Sequence, residues 1–250
     1  MTSEDLFRAE WLKHEIYKLP PYEMAAMGGE IATDQATLFI AGYQAAIRQC
    51  FIAPESLQTE RQWSSYAASE GSPVLAVENF ETQSVTLSGE KTWIAAIEHV
   101  ENLIVQIRDN GQVRHYFVPV STKGLALVTN PTPKMLPELS QGRAHLDDIV
   151  IPLRQRLDGD EAKAFPLAEA TMFLLALSAN ITQQASSSEI RSRALMTMDN
   201  ITEHFPITPK RLLECYSDIQ SLKLHPDNGS FVECNDLLTL YIGGLKKHLR

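Results

Sequence analysis

Hydrophobic positions change their period twice along this chain. From Thr33 onward they fall at Ala36, Phe39, Ile40, Tyr43, Ile47, Cys50 and Phe51, the three-and-four spacing of an amphipathic helix lying on a core. Thr33 offers an N-cap and Pro54 a stop. Between Val85 and Pro152 that spacing disappears. Short apolar runs replace it: VTLSGEKTWI (85–94), LIVQI (103–107), QVRHYFVPV (112–120), GLALVT (124–129) and AHLDDIVIP (144–152). Mostly rich in β-branched and aromatic residues and divided by turn residues, they predict strands. Asp109-Asn110-Gly111 predicts a hairpin, because Asn and Gly enter positive φ at low cost. From Phe165 to Gln184 the helical spacing returns, with Leu167, Ala170, Phe173, Leu174, Leu177 and Ile181 and few polar positions between them. A helix apolar on nearly every side predicts a central one.

The flanks are helical in pattern. Ser3-Glu4-Asp5 predicts a helix start that runs through LFRAEWLKHEIYKL to Pro20-Pro21, and Gly28-Gly29 predicts a break. RQWSSYAASEGSP (61–73) reads as irregular, and Leu157-Asp-Gly-Asp160 as a turn. Helices are expected near 187–204, 209–223 and 231–249, separated by 204–209 and 225–229. The organisation expected is an α+β chain: N-terminal helices (1–66), a central antiparallel β-sandwich or barrel (67–160) and a C-terminal helical region (161–250). Shortened helical blocks would leave apolar faces such as Phe39/Tyr43/Ile47 needing cover, which predicts association.

Composition narrows the chemistry. The chain has 22 Lys and Arg against 31 Asp and Glu, a formal charge of −9. That acidity argues against a surface that tracks nucleic-acid phosphates. Cys50, Cys215 and Cys234 are far apart and odd in number, so neither a disulfide framework nor a structural zinc site is expected; they read as buried free thiols. The polar, acidic opening Met1 to Glu10 predicts no secretory leader. The longest apolar run, Met172 to Leu177, falls far short of a membrane span of about 20 residues, and a cytoplasmic location is expected. No phosphate-cradling glycine loop and no Ser/His/Asp or Cys/His set stands out. His115 and His145 lie in strand patterns and read as packing residues. Gly243-Gly244 reads as a site of close helix packing or local weakness.

Five stretches, in order, carry a resemblance. AASEGSP (67–73), SGEKTWI (88–94), HVENLIVQI (99–107), GQVRHYFVPVSTKGLAL (111–127) and GRAHLDDIVIPLRQRLDGD (142–160) resemble the middle domain of the acyl-CoA dehydrogenase family. The resemblance implies that fold, with a C-terminal helical bundle shortened relative to family members. It implies FAD, either bound or lost, and an acyl-CoA or other acyl thioester as ligand. It also implies dehydrogenation across a CH–CH bond, in which a glutamate removes the α-proton and hydride passes to the flavin.

Carried over position by position, the resemblance assigns cofactor contacts to Ser69, Glu70, Trp93, Ile94 and Ala95, and offers Glu169 as base. Trp93 is similar to the tryptophan that packs on the flavin ring. Ala95 stands where the family usually has a hydroxyl, and Pro73 where an Asp is expected after a shortened loop. Glu169 sits in Leu167-Ala168-Glu169-Ala170, without the Arg of the family's L-x-E-R. Arg191 and Arg193 are not followed by Phe-Gly. The expectation is therefore a family-like protein with eroded flavin and base sites, acting as a binding or partner subunit. It would form a homodimer or a mixed oligomer with a longer family member. The alternative is a working FAD-dependent oxidoreductase with Glu169 as base.

Overall fold

Alternating inward apolar residues in the middle of the chain close on each other as two sheets. The computed structural model describes residues 1–51, 61–109, 112–157, 161–222 and 235–248. The chain divides into two compact units, one formed by Cys50–Lys163 and one by Met1–Gln49 with Ala164–Arg250. The N-terminal and C-terminal helical segments thus belong to a single unit that the β-rich segment interrupts.

The β unit contains β1 (Trp63–Ala67), β2 (Glu70–Asn79), β3 (Ser84–Ala95), β4 (Val100–Asp109), β5 (Gln112–Pro119), β6 (Leu125–Asn130), β7 (Gln141–Pro152) and β8 (Arg156–Leu157). They form two four-stranded sheets, β1-β4-β5-β8 and β2-β3-β7-β6. Alternation sends Val85 and Leu87 of β3, and Ile149 and Ile151 of β7, inward to full burial, while Val150 stays exposed. β4 and β5 pair antiparallel down to Asp109↔Gln112, as a hairpin at this point requires; Asn110 and Gly111 themselves lie outside the described residues. Two details differ from the sequence pattern. Residues 61–73, expected to be irregular, supply β1 and the start of β2. Their Ser, Ala and Gly content hides strands that tertiary pairing imposes. β1 also pairs parallel to β4 rather than antiparallel, because the chain crosses to the other sheet and back between them.

In the helical unit, α1 (Ser3–Lys13) opens on a capping box between Thr2 and Asp5. It ends earlier than expected. Glu15 adopts φ 51°, and a 3-10 turn over Ile16–Lys18 follows. α2 (Pro21–Ile31) begins with Pro at its first turn and runs through Gly28-Gly29, where a break was expected. The glycines are there for packing: a Cβ on Gly29 would lie 2.1 Å from the Ala176 carbonyl oxygen, and one on Gly28 2.8 Å from the Ala41 Cβ.

α3 (Gln35–Cys50) is capped by Asp34, whose Oδ1 accepts from the Thr37 N–H at 2.8 Å, not by Thr33. Its face Phe39, Tyr43 and Ile47, expected to need an external cover, is buried at 4%, 1% and 5% exposure. Helix α4 (Glu161–Gln184) follows, then α5 (Ser188–Glu203), α6 (Pro209–Gln220) and α7 (Asn235–His248). By length and composition the Lys163–Gln184 part of α4 could cross a membrane, yet 78% of its most apolar window is buried inside the structure, as in a core helix. Asn180 of α4 donates to the carbonyls of Gly29 (2.8 Å) and Ala32 (2.9 Å), locking the C-terminus of α2 onto it. Among the described residues, nothing lies within 4 Å of where a Cβ on Gly243 or Gly244 would stand. Cys50 and Cys215 are buried. Pro54, 158–160, 225–229 and Cys234 lie outside the described residues.

Candidate functional site

Position 169 in α4 places a carboxyl among aromatic side chains drawn from helices far apart in sequence. Tyr216 of α6 and Tyr241 of α7 have ring centroids 6.1 Å apart, and Phe173, one turn after Glu169, stacks on Tyr241 at 4.8 Å. Tyr43 of α3 meets Phe165 edge-on at 5.9 Å and stacks on Phe39 at 5.0 Å. Tyr216 donates its hydroxyl proton to the Ala170 carbonyl at 2.6 Å. Glu169 is half-buried by surface area, but its carboxyl is desolvated. Burial pushes it up to about 7, and a hydrogen-bonding contribution from the Tyr241 phenol pulls the other way. The same arrangement drives the Tyr241 and Tyr216 phenols well above their usual value, through burial first and the Glu169 charge second. These phenols stay protonated: Tyr241 can donate to the carboxylate, whereas the Tyr216 proton is held by the Ala170 carbonyl. A carboxyl balanced near neutrality in an apolar setting can take and return a proton at working pH.

The five positions assigned to a cofactor converge at one end of β3 in the other unit. The Ser69 carbonyl accepts from the Thr92 N–H at 3.0 Å, and Glu70 lies opposite Lys91 in the ladder. Several of their polar groups are engaged within the β unit. The Glu70 carboxylate holds Lys91 Nζ at 2.7 Å, and the wholly buried ammonium also donates to the Gln106 carbonyl. Burial lowers the Lys91 pKa, with Arg108 adding to that and Glu70 opposing it. The Trp93 indole N–H donates to Gln141 Oε1 at 2.9 Å, and the Ala95 N–H to Ser65 Oγ at 3.0 Å. Ile94 and Ala95 are fully buried.

Beside them lies a polar cluster that sequence reading missed. Gln106 Nε2 meets the Tyr66 hydroxyl at 2.5 Å, and His115 Nε2 lies 3.3 Å from that hydroxyl. Phe51 packs against both rings at 5.2 and 5.6 Å. Burial holds the His115 imidazole down to about 4, with Lys91 and Arg108 contributing, so it is neutral at ordinary pH. His145, in contrast, is exposed and lies 3.6 Å from Glu90. Among the described residues, no cluster of three or more His, Cys, Asp or Glu is placed to hold a metal.

The site residues were thus only partly legible in the sequence. Glu169 was reached through the resemblance, whereas nothing in the spacing of Tyr43, Tyr216 and Tyr241 marks them as one cluster. Arg193, a candidate only by its position, donates to Ser221 Oγ (2.8 Å) and the Asp218 carbonyl (3.3 Å) at the end of α6.

No family model matches the chain, and no curated protein does. Solved structures do. A prolyl acyl carrier protein oxidase, AnaB, superposes with a TM-score of 0.65 at 10% identity, covering 98% of this chain and 85% of its own. The FAD complex of PigA gives 0.62 at 14%, covering 87% and 76%. A glutaryl-CoA dehydrogenase from Mycobacterium smegmatis in complex with FADH2 gives 0.51 at 10%, covering 89% and 77%. The chain therefore has an α+β, acyl-CoA dehydrogenase-like fold, at 10–14% identity to these neighbours.

Proposed function

We propose that this chain is an acyl-thioester-binding protein of acyl-CoA dehydrogenase-like fold whose flavin seat is reduced, serving as a binding subunit. The observation that carries the reading is at the end of β3. A flavin ring edge needs hydrogen-bond partners, and leaving one such group unpaired costs about 1–3 kcal/mol. Glu70, the Trp93 indole N–H and the Ala95 amide already serve Lys91, Gln141 and Ser65, and Ala95 has no hydroxyl to offer. The residues at 69, 70 and 93–95 therefore do not make a complete polar seat for FAD. Fold neighbours that carry FAD or FADH2 supply the background from which the seat is reduced. The test is flavin content: protein isolated from its native cells is expected to carry FAD well below one per chain. Ala95→Ser is expected to raise its affinity for added FAD. One tightly bound FAD per chain as isolated overturns the reading.

A second reading, a working oxidoreductase on acyl thioesters, is favoured by Glu169. Burying a carboxyl with no cation beside it is costly, and such groups mark sites that move protons. In this reading the aromatic walls exclude water, Tyr241 orients the carboxyl, and Glu169 takes the α-proton. FAD, when bound, would supply the hydride acceptor. Bleaching of added flavin by an acyl thioester that disappears in Glu169→Gln supports it. Identical bleaching in wild type and Glu169→Gln removes Glu169 from the reaction.

A further inference from the structure

The sheet β2-β3-β7-β6 ends on two edge strands. An edge strand presents main-chain N–H and C=O groups without a ladder partner, and proteins ordinarily blunt it with Pro, Lys, a bulge or short length. β6 is blunted: it has six residues and runs directly into Pro131 and Pro133. β2 has ten residues, and its irregularity is confined to the first half, where the register shifts on both sides of Ser72. From Leu75↔Ser88 to Asn79↔Ser84 it pairs with β3 without a break. Among the described residues β3 is its only ladder partner.

The side chains of this segment are unlike those of a protected edge. Leu75 and Val77 are 65% and 66% exposed, and Phe80 beyond them is 67% exposed. The exposed row continues inward across the sheet, since Val77 pairs with Thr86 and Thr86 with Val150, itself 59% exposed. The one charge on the segment, Glu78, is turned to the other face. There it accepts from the Tyr116 hydroxyl at 2.7 Å and from Arg156 Nη1 at 3.1 Å. The outward row Leu75, Val77, Asn79 is therefore uncharged, apolar at Leu75 and Val77, and ends on an Asn79 amide whose Oδ1 accepts from the Glu81 and Thr82 N–H groups.

We propose that Leu75–Asn79 pairs antiparallel with the same segment of a second copy of this chain, about a two-fold axis through Val77. The two four-stranded sheets then become one of eight strands. The occupant follows from the strand's own pattern. Pairing about Val77 sets Val77 against its equivalent and Leu75 against Asn79, so no like charges meet. Both Glu78 carboxylates stay with their own arginine and tyrosine on the opposite face. A contact of this kind is self-complementary and closes at two copies, because the other edge of the sheet is blunted. It also hides an apolar edge that would otherwise template open-ended aggregation. The inference is independent of the flavin and acyl readings.

The test is the mass of the full chain in solution by light scattering and sedimentation, with two variants. Wild type is expected at twice the chain mass, dissociating on dilution. Val77→Lys, at an exposed position that does not burden folding, is expected at the single-chain mass, whereas Val113→Lys, at the exposed start of β5, is expected to behave as wild type. Val77→Cys is expected to form an interchain disulfide under mild oxidation. Directly opposed residues of an antiparallel pair lie about 4.5–5.5 Å apart between Cα atoms, within the range of about 4.4–6.8 Å that a disulfide spans. A single-chain mass for wild type at every concentration overturns the proposal. So does a dimer indifferent to Val77→Lys, one lost equally in Val113→Lys, one without Val77→Cys cross-linking, or isolation of the edge occupied by a different polypeptide.

Discussion

The two units treat buried ionisable groups in opposite ways. In the β unit, charges that leave water are matched: Lys91 has Glu70 and the Gln106 carbonyl, and Glu78 has Tyr116 and Arg156. His115, which has neighbouring cations but no anion among the groups acting on it, is kept neutral. In the helical unit, Glu169 is desolvated beside the Tyr216 and Tyr241 phenols, and of the groups acting on it only the Tyr241 phenol favours its charged form. Matched charges fix strand register and the spacing of two sheets. An unmatched acid lowers stability, and its retention points to work that a Gln or Leu would not do.

The comparison breaks most sharply at the matched pair. Glu70→Ala leaves the Lys91 ammonium buried without its anion, and is expected to cost about 3 kcal/mol, read as a lowered urea midpoint. If Glu70→Ala unfolds at the wild-type midpoint, the β unit does not depend on matching. Next comes the unmatched acid. The Glu169 carboxyl moves from 4.5 up to about 7 on folding. As pH rises from 4.5 to 7 the unfolded chain therefore releases this proton first, stability falls across that window, and the penalty is constant above it. Glu169→Gln should remove that slope and stabilise the protein by about 2 kcal/mol at pH 8, allowing for the half-exposed residue.

His115 provides the opposite sign. Its imidazole falls from 6.5 to about 4 on folding, so its contribution is complete above 6.5 and is lost as pH drops toward 4. His115→Gln should flatten the acid limb by about 1.5 kcal/mol, measured as thermal midpoint against pH. In wild type the two slopes oppose each other between 4.5 and 6.5, and each single variant uncovers the other. The smallest effect is expected at the partly exposed Arg156, where Arg156→Ala should cost about 1 kcal/mol or less in urea denaturation.

The elements that sequence disclosed are those whose own residues set their period. The α3 stripe, the uniformly apolar α4 and the β-branched runs of β4, β5 and β7 each declare their type without outside help. The elements it hid are those that a neighbour decides. α2 crosses Gly28-Gly29 because α4 and α3 press against it there, and β1 exists because β4 lies alongside it. The same division holds for the site. A motif could point to Glu169 and Trp93, but the Tyr216/Tyr241 pair beside Glu169 and the Tyr66/Gln106/His115 cluster are assembled only when distant segments meet.

The helical unit is written in two pieces, with the whole of Cys50–Lys163 between them. On the ribosome, α1 to α3 must therefore wait, with Phe39, Tyr43 and Ile47 uncovered, until α4 has been synthesised. The sheets, being contiguous, can fold in the meantime. Closing so long an interval costs little more than closing a short one, because the entropy grows only with the logarithm of length. The delay is the greater hazard: until α4 is made, the apolar face of α3 stays uncovered, the kind of exposed surface that makes folding intermediates prone to aggregate.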